Sequence, residues 1–128
     1  MNKLNKESII GVTALLVHAA KIDEIYSEHE RNLIKNFIKS YLKNDDINET
    51  LNKAEEIESN SNQLLNFTNI IKETSMDIKK DIVENLWKII ISDKTIDQYE
   101  SNLMRRICGL IYFPDKECGE IKLKLINS

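Results

Sequence analysis

The stretch LWKIIISDKTIDQYESNLMRR, residues 86–106, decides how the chain folds. Apolar residues at helical spacing run to Ile91, stop at Asp93, pass through Lys94-Thr95-Ile96, and restart behind Asp97 and Glu100. An acid followed three residues later by Glu, just ahead of Leu103, Met104 and Ile107, is the pattern of a capped helix start. The stretch therefore reads as two helices joined by a tight acidic turn.

A blurred copy lies seventy residues earlier. Leu16, Val17, Asp23, Ser27 and Glu30 stand where Leu86, Trp87, Asp93, Asp97 and Glu100 stand in the second copy. Leu33, Ile34 and Phe37 fall opposite Leu103, Met104 and Ile107, and Leu51 falls opposite Ile121. Self-similarity of this kind implies two helical halves related by a pseudo-twofold axis, with one helix connecting them.

The remaining segments follow from the same periodicity. Residues 5–21 form a first helix, apolar almost all round, and such a helix is packed on several sides. Gly11 in its middle costs stability unless a neighbouring helix needs the close approach. Ser27 and Glu30 make an S-x-x-E capping box for a second helix over 27–42, burying Leu33, Ile34, Phe37, Ile38 and Tyr41. Asn44-Asp45-Asp46 caps a third, with Ile47, Leu51, Ala54 and Ile57 inward, and residues 58–62 form a polar break. Ser61 caps a fourth helix carrying Leu64, Leu65, Phe67, Ile70 and Ile71. Thr74, Ser75 and Asp77 open a fifth, which buries Ile78, Ile82, Val83, Leu86, Trp87, Ile89 and Ile90. Asp97 and Glu100 open the sixth, and Pro114 opens a seventh with Ile121 and Leu125 inward. Nothing alternates at strand period. The expectation is an all-α domain of about seven helices over residues 1–128.

Composition bounds the function. A chain of 128 residues buries about two-thirds of its unfolded surface and needs no staple. A net charge of -3 and a pI near 5.5 argue against nucleic acid or an anionic membrane as a general partner. No apolar run approaches the roughly 20 residues of a spanning helix. Residues 9–20, preceded by Lys3 and Lys6, imitate a signal peptide, but their match to residues 79–90 assigns them to the fold. Cys108 and Cys118 fit no redox or zinc spacing and read as reduced, cytoplasmic thiols, free to pair only if the last two helices bring them together.

The twice-occurring pattern of an apolar helix followed by A-D-G-x-[ID]-D-x-x-E-x-x-[LI]-[IL] resembles the TerB-like (tellurite-resistance protein B) superfamily. That superfamily includes the N-terminal domain of the co-chaperone DjlA. The second copy carries it as Ser92-Asp93-Lys94-Thr95-Ile96-Asp97-Gln98-Tyr99-Glu100, the first as Lys21-Ile22-Asp23-Glu24-Ile25-Tyr26-Ser27-Glu28-His29-Glu30. Glu24 and Lys94 occupy the position usually held by glycine, and Ser27 replaces an acid. With no J-domain or anchor in the sequence, the chain is similar to stand-alone members. The resemblance implies a binding role in stress response or membrane-associated assemblies, and metal binding through the acidic turns.

Two readings of those turns stand side by side. Asp23, Glu24, Glu30, Asp93, Asp97 and Glu100 are candidate ligands for a divalent cation, because hard cations take six to eight oxygen ligands. Capping alone accounts for Ser27/Glu30 and Asp97/Glu100, without an ion. It leaves Asp23 and Asp93 unexplained. His18 reads as an interior histidine and His29 as a solvated turn residue. Trp87 and Tyr99 flank the second turn as core or groove aromatics, and Arg105-Arg106 with Lys122 and Lys124 form a basic patch or an ordinary wet face. No phosphate loop, hydrolase elbow or kinase signature is present. The expectation is a cytoplasmic, non-enzymatic binding domain with protein partners, a homodimer being compatible. It requires no cofactor, and a divalent cation is the alternative ligand.

Overall fold

A computed structural model describes residues 5–21, 27–42, 46–61, 65–91 and 98–127, with the backbone alone at 65 and 98–100. These contain α1 (Lys6–Ala20), α2 (Glu28–Lys39), α3 (Ile47–Ser59), α4 (Leu65–Lys72), α5 (Met76–Ile91), α6 (Gln98–Leu110) and α7 (Asp115–Ile126). No strand occurs among the described residues, so the fold is all-α, as the periodicity requires.

Helix α1 is the axis of the packing. Ile9, Val12, Leu15, Leu16 and Val17 are wholly buried, and the helix touches α2, α3, α4 and α5. Asn5 starts it: its side-chain oxygen accepts the Ser8 N–H at 2.7 Å. Thr13, polar yet fully buried, donates its hydroxyl to the Ile9 carbonyl at 2.7 Å, which removes the penalty of an unpaired group. Gly11 faces α4 so closely that an added Cβ would lie 2.5 Å from Ile70 Cδ1. The glycine is there for that approach.

The offset of seventy reappears in the helix boundaries. Shifted by it, α1 lands on 76–90 and α2 on 98–109, within one residue of α5 and α6. The packing repeats too: α1 touches α2 and α3 as α5 touches α6 and α7, and α2 meets α3 as α6 meets α7. Core positions coincide, Val12 with Ile82, Leu16 with Leu86, Ile34 with Met104, and Phe37 with Ile107. Lys79 falls opposite the wholly buried Ile9, and is itself only 7% exposed. A lysine at a core-equivalent position buries its aliphatic stem along apolar neighbours. Between the halves, the Tyr41 hydroxyl donates to Asp81 at 2.7 Å, and Asn85 donates to the Asp81 backbone carbonyl at 2.8 Å. Burial, and then the Asp81 acceptor, push the Tyr41 phenol above its ordinary pKa.

Several expectations need correcting. Ile57 points outward, 43% exposed, because the inward stripe of α3 runs Ile47, Thr50, Leu51, Ala54, Glu58. Glu58 and Ser59 belong to α3 and not to a polar break. Asp46 holds the N-cap position of α3 without a side-chain cap bond. Ser61 accepts from Asn66 at 3.0 Å, while Leu64, like Asn44 and Asp45, lies outside the described residues. Pro114 sits one place earlier than expected, as the N-cap residue of α7.

Helix α6 ends in a turn that composition does not announce. The Phe113 N–H reaches the Cys108 carbonyl at 2.8 Å, and Tyr112 N–H reaches Gly109 at 3.3 Å, the two bonds of a Schellman motif. Its left-handed position, normally glycine, is Tyr112 at φ 62. The ring is 67% exposed with Lys72 Nζ 5.5 Å from its centroid.

Two stability predictions follow from these positions. Gly11→Ala gains about 1 kcal/mol of helix propensity and loses a comparable amount by displacing the Ile70 methyl. Combined with Ile70→Val, which removes that methyl, the same substitution should recover its gain, so a double-mutant cycle in urea gives a favourable coupling of about 0.5 kcal/mol or more. Tyr112→Gly should raise the urea midpoint with an unchanged slope, by about 0.5–1 kcal/mol, since relief of the left-handed strain exceeds the lost exposed cation–π contact.

Candidate functional site

The two acidic turns are bracketed by described helix ends. Lys21 closes α1 and Ser27 opens α2, while Ile91 ends α5 and Gln98 begins α6. Asp23, Glu24, Asp93 and Asp97 lie outside the described residues, and Glu100 is described only as backbone within α6. Glu30 is placed fully. It is 5% exposed, and its Oε1 accepts the Ser27 N–H at 2.9 Å and the Ser27 hydroxyl at 3.2 Å. Ser27 Oγ in turn accepts the Glu30 N–H at 3.2 Å, which completes the capping box. Among the described residues no group of three or more His, Cys, Asp and Glu is arranged to hold a metal ion.

A carboxylate that sequence reasoning missed stands beside the first turn. Glu58, its side chain 10% exposed, accepts from Lys21 Nζ at 2.8 Å and lies 3.3 Å from His18 Nδ1. The pair fastens the end of α1, where residues 22–26 begin, to the end of α3. His18 is therefore an edge residue with a 40% exposed side chain, not an interior one. The signal was available: Glu58 continues the Ile47, Leu51, Ala54 stripe by one more turn, so it had to face α1. Arg31 ties α2 to α3 in the same way, through Glu55 at 3.1 Å. His29 is exposed on α2, and the Tyr99 side chain lies outside the described residues.

Trp87 anchors the other half. Its indole N–H donates to the Cys118 carbonyl at 3.1 Å, and Lys122 Nζ stands 5.4 Å from the ring centroid. Trp87, Ser101, Met104, Arg105, Asp115, Cys118, Gly119 and Lys122 surround a cavity of about 420 Å³. Of the expected basic patch, Arg105 and Lys122 share this cavity, whereas Arg106 and Lys124 do not line it. Cys108 and Cys118 are both free and buried. The neighbouring Cys118 and burial push the Cys108 thiol up, while Cys108 draws the Cys118 thiol down against the effect of burial.

A second depression runs between α5 and α7 and encloses about 560 Å³. Ile121, Leu125 and Met76 supply its apolar surface; Ile121 is buried and Met76 is 48% exposed. Asp77, Lys80, Glu84 and Lys88 line one side from α5, and Glu117, Glu120 and Lys124 the other from α7. Charges of both signs along each wall suit a polypeptide of mixed charge better than a polyanion. Leu123 and Ile126 are exposed on the same helix. Among the described residues no helix is long and apolar enough to cross a membrane.

Comparison with known proteins gives one family. The profile of the family described as tellurite resistance protein TerB matches residues 10–123, a span that enters within α1 and ends within α7. No curated protein and no solved structure matches the chain. Because the profile covers most of the sequence, the chain belongs to the TerB, or tellurite resistance protein TerB, family.

Proposed function

We propose that this TerB-family domain works by binding a protein partner, and that the α5–α7 groove receives an amphipathic helix of that partner. The observation that carries the reading is the groove itself: an apolar floor of Met76, Ile121 and Leu125 between walls that each carry both acids and lysines. Helix-in-groove recognition uses an apolar stripe at i, i+3/i+4 and i+7 with charges flanking it. A role in tellurite or stress response, within a cytoplasmic assembly, is the physiological setting that family membership supports.

The divalent-cation alternative concerns a different place. It is supported by Asp23 and Asp93, which recur at the repeat offset and which capping does not account for. Glu24, Asp97 and Glu100 would complete the donor sets, with Glu30 already accepting from Ser27.

The groove reading is tested by capture from the native host with the wild-type chain, with Met76→Glu/Glu120→Lys, and with Lys53→Glu on an exposed face of α3. A partner held by wild type and Lys53→Glu but weakened about 30-fold by the groove pair, the effect of a hot spot worth ~2 kcal/mol, is the expected result. Retention by the groove variant, or the absence of any reproducible partner, overturns it.

For the cation, melting curves with and without millimolar Ca²⁺, Mg²⁺, Mn²⁺ or Zn²⁺ decide. An ion present at about 100 times its Kd should stabilise by roughly 2.7 kcal/mol, and Asp93→Asn should abolish the rise. Four unchanged melting temperatures remove this alternative.

A further inference from the structure

We infer that the partner helix received by the α5–α7 groove carries an acid, a base and a second acid at successive turns, and so reads the stripe Lys80, Glu84, Lys88 by opposite charge, an assignment that rests on the groove reading of this domain. The three residues lie on α5 at i, i+4 and i+8, and all three line the groove. Residues at that spacing share one side of a helix and follow one another at about 6 Å along its axis. The stripe is positive, negative, positive. None of the three has an ion-pair or hydrogen-bond partner among the described residues, although Glu84 has a lysine one turn away on either side. Lys80 and Lys88 are exposed, whereas Glu84 is half-buried. A carboxylate that has lost part of its water and gained no cation is the group on this wall that a cation from outside most improves.

The fold does not demand these charges. Seventy residues earlier α1 carries Ile10, Ala14 and His18 at the matching positions. Ala14 is wholly buried, and Ile10 packs against the core. Where α1 spends two of these positions on packing, α5 holds charge that nothing inside the domain answers. A helix lying along α5 repeats the one-turn spacing, so its own residues at i, i+4 and i+8 meet Lys80, Glu84 and Lys88 in turn. Opposite charge at each gives Asp or Glu, then Lys or Arg, then Asp or Glu. The pattern reads the same from either end, so it holds whichever way the partner runs. Its apolar stripe lies beside the charged one and meets Met76, Ile121 and Leu125.

The probes are two labelled synthetic peptides of about 18 residues, long enough to hold a helix. Both carry the same leucine stripe. One bears Glu, Lys, Glu at i, i+4 and i+8 beside it, the other Lys, Glu, Lys, with net charge made equal on the outer face. Each is titrated with the full chain and read by fluorescence anisotropy. The first should bind about tenfold or more tighter, since like charges placed opposite one another are strongly disfavoured. Lys80→Glu/Glu84→Lys/Lys88→Glu should reverse the preference, with circular dichroism as the check on folding. If that variant does not fold, Glu84→Gln, which keeps the shape, should narrow the preference by about threefold. Met76→Glu/Glu120→Lys should weaken both peptides. Equal binding of the two peptides, both weakened by Met76→Glu/Glu120→Lys, overturns the charge assignment and leaves the groove reading standing. A preference untouched by the reversal, or by Glu84→Gln where that variant is used, does the same. Two peptides that do not bind, or that bind Met76→Glu/Glu120→Lys as tightly as wild type, overturn both.

Discussion

The structure depends on one constraint: α1 is apolar on nearly every side, so it must be covered on nearly every side. Each fully buried Leu, Ile or Val contributes about 1.5–3 kcal/mol, and α1 supplies many of them. Covering it takes four other helices, and one of them, α4, comes so near that a side chain at position 11 would have to displace the Ile70 methyl. Helix α5 repeats the same demand on the other side, where α2, α6 and α7 answer it. The two apolar helices touch each other.

Helix α1 carries no Asp, Glu, Lys or Arg between Glu7 and Lys21, so its charged and capping contacts sit at its termini: Asn5 at the start, and Lys21 with Glu58 at the end. Glu30, nearly buried, is drawn in by the free N–H of Ser27. Acids near the first turn therefore divide into those with a structural partner, Glu30 and Glu58, and those whose purpose capping leaves open, above all Asp23. A carboxylate's proximity to the turn is not by itself an argument for a cation.

Most of the fold was legible because a 3.6-residue period is a strong signal over helices of twelve to sixteen residues. The capping box could be read directly, since Ser27 and Glu30 are local in sequence. Misreadings came where a pattern was cut short or where the cause was not local. Taking Ile57 as inward closed the α3 stripe one turn early and hid Glu58, whose partners are 37 and 40 residues away. Tyr112 was invisible because a tyrosine there takes the left-handed conformation that usually announces itself as glycine. The approach of Cys108 to Cys118 depends on that same turn, so it could be posed as a question but not answered.

Helix α7 is where these threads meet. Of its residues only Cys118 and Ile121 are buried, and its hydrophobic surface is otherwise left at Leu123, Leu125 and Ile126. A helix held by so few apolar contacts, plus the Trp87 bond to Cys118, sits at the low-stability end of the domain. Yet it forms one whole wall of the α5–α7 groove. Where a wall is weakly held, whatever fixes its first turn also fixes the shape of the groove. The Trp87 bond to the Cys118 carbonyl lies at that first turn, one residue from Glu117 on the wall itself.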